Sequence, residues 1–126
     1  MRPMRIVHSP DHIGHDPESF ISAGRLAPSP ECPERAHHLF AAVEAAGYEI
    51  LAPADHGMDA IAAVHPADYL DFLQNGLAEW QRLPNAGPSM MPNMHPGRHM
   101  QGRPQAIVGK AGYYMADTAC PIGPGT

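Results

Sequence analysis

The chain has 126 residues, 44% of them hydrophobic and 17% charged, with a net charge of −5 when the histidines are neutral. That is enough apolar material for a core and excludes uniform disorder, and the lack of a basic patch argues against a direct nucleic-acid partner. The 12 glycines and 15 prolines crowd toward the last third, so the composition predicts a well-ordered domain with a loop-rich tail.

Met1-Arg2-Pro3-Met4-Arg5 precedes only a short apolar run. It reads as neither a signal peptide nor a membrane span, and the expected location is the cytoplasm, away from any membrane. Arg5-Ile6-Val7-His8 reads as a buried strand that ends at Ser9-Pro10. A polar loop follows, in which Asp11, His12, His15 and Asp16 put four ligand-type side chains into six residues. No helix holds them on one face, so a solvated or substrate-side loop is expected rather than a metal site. The loop continues through Phe20 to Leu26 and is punctuated by Pro28, Pro30 and Pro33.

Pro33 opens a predicted helix with Glu34 favourable in its first turn. Ala36, Leu39, Phe40, Val43 and Ala46 form its expected buried stripe, and Gly47 its C-terminal cap. His37 and His38 are adjacent on that helix and point about 100° apart, so they do not converge on a metal. Tyr48-Glu49-Ile50-Leu51 reads as a second strand, which makes a βαβ unit and predicts a parallel sheet.

After a short helix over Asp59–Val64 comes the best helix start in the chain, Val64-His65-Pro66-Ala67-Asp68-Tyr69-Leu70-Asp71-Phe72-Leu73. Pro66 suits the first helical position and Asp68 complements the helix dipole. Tyr69, Leu73, Leu77 and Trp80, flanked by Leu70, form the predicted apolar stripe. Gly76 is its weak point, at a cost of about 1 kcal/mol relative to Ala.

Periodicity is then lost. Pro84 to Pro104 holds five prolines, four methionines and three glycines. It reads as either disordered or a functional loop, with Met90, Met91, Met94 and Met100 as an adaptable apolar surface for a partner. Ile107-Val108 and Tyr113-Tyr114-Met115 are apolar islands around Gly109 and Gly112, and Asp117 to Thr126 is a turn-rich loop with Thr126 placed as the N-cap of a following helix. Cys32 and Cys120 match no zinc or redox spacing and are expected to be free thiols in a reducing compartment.

Three stretches together resemble the N-terminal part of the histone deacetylase superfamily, and within it the acetylpolyamine amidohydrolase branch. Ser29-Pro30-Glu31-Cys32-Pro33-Glu34-Arg35 resembles that family's His-Pro-Glu-x-Pro-x-Arg segment, with Ser29 in place of the usual His. Val64 through Leu73 resembles its Val-His-x-x-x-Tyr-Leu-x-Phe-Leu helix. Gly112-Tyr113-Tyr114-Met115 through Pro124-Gly125-Thr126 resembles the polyamine branch just before its next helix.

The resemblance implies an α/β fold, here an incomplete N-terminal portion of an arginase/deacetylase-like fold with a central parallel sheet. Residues 1–126 would be a partial deacetylase domain. It implies a zinc-dependent amide hydrolase, in which a zinc-activated water attacks an acetyl-amide carbonyl with histidine acid/base help. The family's zinc ligands and tandem histidines lie in motifs that cannot be placed on this chain, so no catalytic or metal residue is assigned and no zinc is expected to bind the chain alone. By resemblance, Phe20, Ile21 and Ser22 belong to the first rim loop of the substrate channel, Asp117 approximately matches a substrate-bonding rim Asp, and Arg35 lies by the inner cavity. Residues 84–111 match a long rim insertion with an expected homodimer contact. The implied substrate is an acetylated polyamine or similar small cationic amide. A protein-lysine deacetylase fragment, and a non-catalytic truncated product or interaction module, are the alternatives.

Overall fold

The structure is a computed structural model that describes residues 4–126. Met1, Arg2 and Pro3, part of the N-terminal stretch read above, lie outside the described residues. No helix among the described residues is long and apolar enough to cross a membrane.

Strand β1 (Arg5–Val7) pairs in parallel with β4 (Glu49–Leu51), with Ile6 opposite Ile50, and the ladder extends by a 3.0 Å bond from the His8 N–H to the Leu51 carbonyl. The predicted βαβ unit is therefore present, closed by helix α1 (Pro33–Ala45). It is less buried than its sequence suggests. Ile6 is half-buried and Val7 is 63% exposed; among the described residues the parallel sheet has two strands, too few to bury either of them fully. Helix α1 has the same character. Ala36, Phe40 and Val43 are half-buried, whereas Leu39 is 65% exposed and Ala46 is also open, so the predicted stripe is only partly covered. Gly47, at φ 71°, donates to the Glu44 carbonyl while Tyr48 donates to that of Val43. This double closure is a Schellman ending and accounts for the predicted cap.

Two elements lie between β1 and α1 where the sequence predicts loop. Ser9 caps a 3-10 turn over Pro10–Gly14, accepting from the Asp11 N–H at 3.2 Å. Strands β2 (Ser19–Ser22) and β3 (Arg25–Pro28) then form an antiparallel hairpin. Its two-residue turn has positive φ at both Ala23 (48°) and Gly24 (74°). Such turns usually carry Asn-Gly or Asp-Gly, and Ala at the first position hides the signal.

Helix α2 (Asp59–Ala62) leads to α3 (Ala67–Trp80), with Pro66 one position earlier than predicted, in extended geometry at the N-cap. The buried line of α3 is rotated by one residue from the expected stripe. Phe72 and Gly76 are buried, Tyr69, Leu77 and Trp80 pack at the margin, and Leu73 is 43% exposed. Gly76 is a packing site rather than a weak point: a Cβ there would lie 3.2 Å from the Phe72 ring and 3.3 Å from the Met90 methyl.

The two apolar islands near the C-terminus are one helix, α4 (Ile107–Tyr114), running through both glycines. It packs on α3, and the core consists of Phe72, Met90, Ile107, Ala111 and Met115. Met90, Pro92 and Pro121 are fully buried, so the Pro/Met-rich stretch supplies core instead of lying outside it. Met90 is thus unavailable to a partner, while Met94 and Met100 remain about half exposed. Its backbone exchanges two bonds with Ile122, at 2.8 and 3.0 Å.

Candidate functional site

A groove of about 610 Å³ opens between the β2 hairpin, helices α3 and α4, and the loop that follows α4. Each wall has a local cause. Strand β2 alternates its side chains and turns Phe20 into the groove. The exposed flank of the α3 stripe contributes Tyr69 and Leu73. The end of α4 contributes Tyr114 and Met115, whose bulk completes an apolar lining.

The loop over 116–122 is fixed from three sides. The Ile21 N–H donates to the Thr118 carbonyl and the Thr118 hydroxyl donates to the Ile21 carbonyl, both at 3.3 Å. The Asp117 carboxylate accepts from the Ala119 N–H at 2.7 Å, which makes an Asx turn, and Ile122 is bridged to Met90. Further on, the Thr126 hydroxyl oxygen accepts from the Gly123 N–H at 3.0 Å and lies 2.9 Å from His15 Nδ1. The backbone of Gly125 runs against that of Gly14, so close that a Cβ on Gly125 would fall 1.5 Å from the Gly14 carbonyl oxygen.

The residues singled out in the sequence fall around this groove to different degrees. Phe20 lines it. Ile21 is tied to the loop that forms its floor, and Asp117 stands exposed beside the lining residues Ala116 and Ala119. Ser22 is exposed at the hairpin end, opposite Arg25, and does not line the groove. Arg35 does not line it either, but it forms an ion pair with Glu31, which does. Tyr69, Leu73, Tyr114, Met115 and Cys120 are among the lining residues that the sequence did not assign to a site. Tyr69 and Leu73 were legible only as a helical stripe, and Tyr114 and Met115 only as an island, because the glycines before them disguise the helix. Both cysteines are free, and burial, then the nearby Asp117 carboxylate, push the Cys120 thiol up from its ordinary range.

Tyr114 also lines a second, smaller cavity of about 170 Å³ between α3, α4 and the segment that precedes α4. There its hydroxyl donates to Asp68 at 2.6 Å, and Arg103 Nη1 reaches the same carboxylate oxygen at 2.6 Å. The Tyr114 bond first, and the Arg103 charge after it, hold the Asp68 carboxyl below the usual carboxylate range. The same bond raises the Tyr114 phenol above its ordinary value. Lys110 and Glu79 pair at 3.0 Å on the same face and join α4 to α3.

Among the described residues no three His, Cys, Asp or Glu side chains come together in a metal-holding arrangement. His12 turns its Nδ1 to the Ser9 carbonyl and His15 turns to Thr126, while His37 and His38 are exposed on α1. The donor set present therefore does not fit a zinc ion. The groove, with mostly apolar walls, the Glu31 carboxylate in its lining and Asp117 beside it, suits an aliphatic chain carrying a polar or cationic end.

No protein-family model matches the chain. It is 37% identical to acetylpolyamine amidohydrolase 1 of Pseudomonas aeruginosa over 127 residues, and 34% identical to acetylpolyamine amidohydrolase of Mycoplana ramosa over 124. Each match covers 98% of this chain and 36% of the relative. The crystal structure of acetylpolyamine aminohydrolase from Burkholderia pseudomallei superposes with a TM-score of 0.88 at 35% identity, again over 98% of this chain and 36% of that one. The chain thus spans about a third of the length of the proteins it matches.

Proposed function

We propose, from the premise that this chain is a homologue of the acetylpolyamine amidohydrolases corresponding to an N-terminal portion of them, that it forms one wall of the substrate channel of a zinc-dependent deacetylase for acetylated polyamines or similar small acetyl-amines. The observation that carries this reading is the apolar groove in which Phe20 of the β2 hairpin faces Tyr69, Leu73 and Tyr114. A slender alkyl chain would lie along those side chains and lose apolar surface to them, at about 25 cal/mol per Å² removed from water. Phe20, Ile21, Ser22 and Asp117 are the proposed rim, with Asp117 available to accept a bond from an amide or ammonium. Arg35, held by Glu31, is the proposed inner-cavity residue. Residues 84–111 are the proposed homodimer contact, through the exposed Met94 and Met100 rather than Met90.

The zinc and the acid/base groups would come from a portion of the enzyme beyond these residues, so the 126-residue chain by itself is inactive and holds no catalytic zinc. The test is a hybrid in which residues 1–126 replace the matching portion of the Pseudomonas aeruginosa relative. Zinc-dependent acetate release from N-acetylputrescine is expected, exceeding release from an acetyl-lysine peptide. A folded, zinc-loaded hybrid without such activity would overturn the reading, as would stoichiometric zinc and chelator-sensitive turnover in the 126-residue chain.

A further inference from the structure

Helix α4 contains two glycines three residues apart, Gly109 and Gly112, which therefore share one face. Each disfavours the helix by about 1 kcal/mol relative to Ala. The reason they stand there is a chain segment that crosses the helix on that face. A Cβ on Gly112 would lie 1.8 Å from the Met94 carbonyl oxygen and 3.5 Å from the His95 Cα; one on Gly109 would lie 2.5 Å from the Pro104 Cβ. The segment between Met94 and Pro104 thus enters at one glycine and leaves at the other.

Its two ends and its middle are held very differently. Just upstream, Met90 and Pro92 are fully buried and Met90 is bonded to Ile122; just downstream, Ile107 is in the core. Between them, residues 93–103 are exposed throughout. Two polar contacts pin this exposed run. His95 Nδ1 lies 3.0 Å from the Gly112 carbonyl, and Arg103 reaches Asp68. The run includes Gly97 and Gly102, the latter at φ 78°, so it has backbone freedom near its middle and at its downstream end.

We propose that residues 93–104 are a strap that opens as a unit, hinged at Pro92 and at the start of α4, and that its closure positions Tyr114 in the wall of the groove. The link is Asp68, whose one carboxylate oxygen receives both the strap's Arg103 and the Tyr114 hydroxyl. The Tyr114 ring stacks on Phe72 at 4.9 Å, and both side chains line both cavities. When Arg103 leaves, Asp68 loses its counter-charge and Tyr114 loses a partner held in place, so the ring is free to shift toward the groove. Met94 and Met100 lie on the strap, so a homodimer formed through residues 84–111 as proposed above would hold it closed, and the opening belongs to the unpaired chain.

The test uses the 126-residue chain. In the wild type, amide exchange should be much faster across 93–103 than at Met90 and Ile122, whose N–H groups close the bridge. Arg103→Gln should speed trypsin cleavage after Arg98 by up to about fivefold, the scale of one exposed ion pair, and Gly112→Ala, whose Cβ would meet the Met94 carbonyl oxygen, should speed it at least as much, while Met90 and Ile122 stay protected. Arg103→Lys should restore most of the resistance. The Tyr114 and Leu73 side-chain resonances should move in both opening variants. Unchanged cleavage after Arg98, or loss of Met90 and Ile122 protection together with the strap, would overturn the hinged strap. An open strap with Tyr114 resonances unmoved would overturn its hold on the groove. Gly112→Ala forces the Met94 backbone off α4; should that variant fail to fold, Arg103→Gln, at an exposed side chain, and the wild-type exchange pattern still test the hinge.

Discussion

The first fifty residues and the last sixty form two contrasting halves. The N-terminal half has the regular-looking sequence: β-branched strands, a well-started and well-stopped helix, a βαβ order. Yet among the described residues before β4 Pro17 is the one that is buried, and α1 has none. The C-terminal half has the irregular sequence, dense in Pro, Gly and Met, and it contains the entire buried cluster of Phe72, Met90, Ile107, Ala111 and Met115. Local order and burial are therefore supplied by different parts of this chain. Strand pairing and helix capping need only neighbours in sequence or one partner strand. Burial needs several elements to converge, and here they do so around α3 and α4.

The contrast can be broken most strongly at its centre. Phe72→Ala should cost about 3–5 kcal/mol of unfolding free energy, the range for a large aromatic removed from a core, whereas Leu39→Ala, at 65% exposure, should stay within about 0.5 kcal/mol. Urea denaturation of the two variants gives the comparison directly, and similar losses would show that α1 is as deeply embedded as α3. A smaller effect is expected at Gly76. Adding a methyl there gains about 1 kcal/mol of helix propensity but crowds Phe72 and Met90, at a cost of about 1–3 kcal/mol for overpacking. Gly76→Ala should therefore be net destabilising by roughly 1 kcal/mol, and a rise in the denaturation midpoint would mean that the core has room. The smallest effect is electrostatic. Because the Asp68 carboxyl is held below its ordinary range in the folded chain, its contribution to stability is present above the unfolded-state value and is lost as the pH falls through the depressed one. Asp68→Asn should flatten the acid side of the stability profile and leave the N-terminal half unaffected, as read by urea midpoints taken from neutrality down through the carboxylate range.

Legibility followed the same division. The ends of α1 could be read because proline at a helix start and glycine after its end act locally. The β2–β3 hairpin could not, because Ala23 adopts a positive φ that its residue type does not announce. Helix α4 was hidden by Gly109 and Gly112, whose reason for being glycine lies in Met94 and Pro104, residues distant in the sequence. Among the groove residues, Phe20 was singled out only as what the resemblance of other stretches implies. Tyr114 was missed because its surroundings are assembled from α3, α4 and the strap.

By itself the sequence determined the parallel βαβ order, the start of α3 and the family relationship that three spaced motifs express. These rest on short-range geometry and on residues that can be matched one by one. Only the tertiary structure decided where the core lies, that the Pro/Met-rich stretch enters it, and that Tyr114 lines two cavities. Close packing depends on which surfaces meet, and a glycine, a methionine or a tyrosine acquires its role from the residues that fold against it.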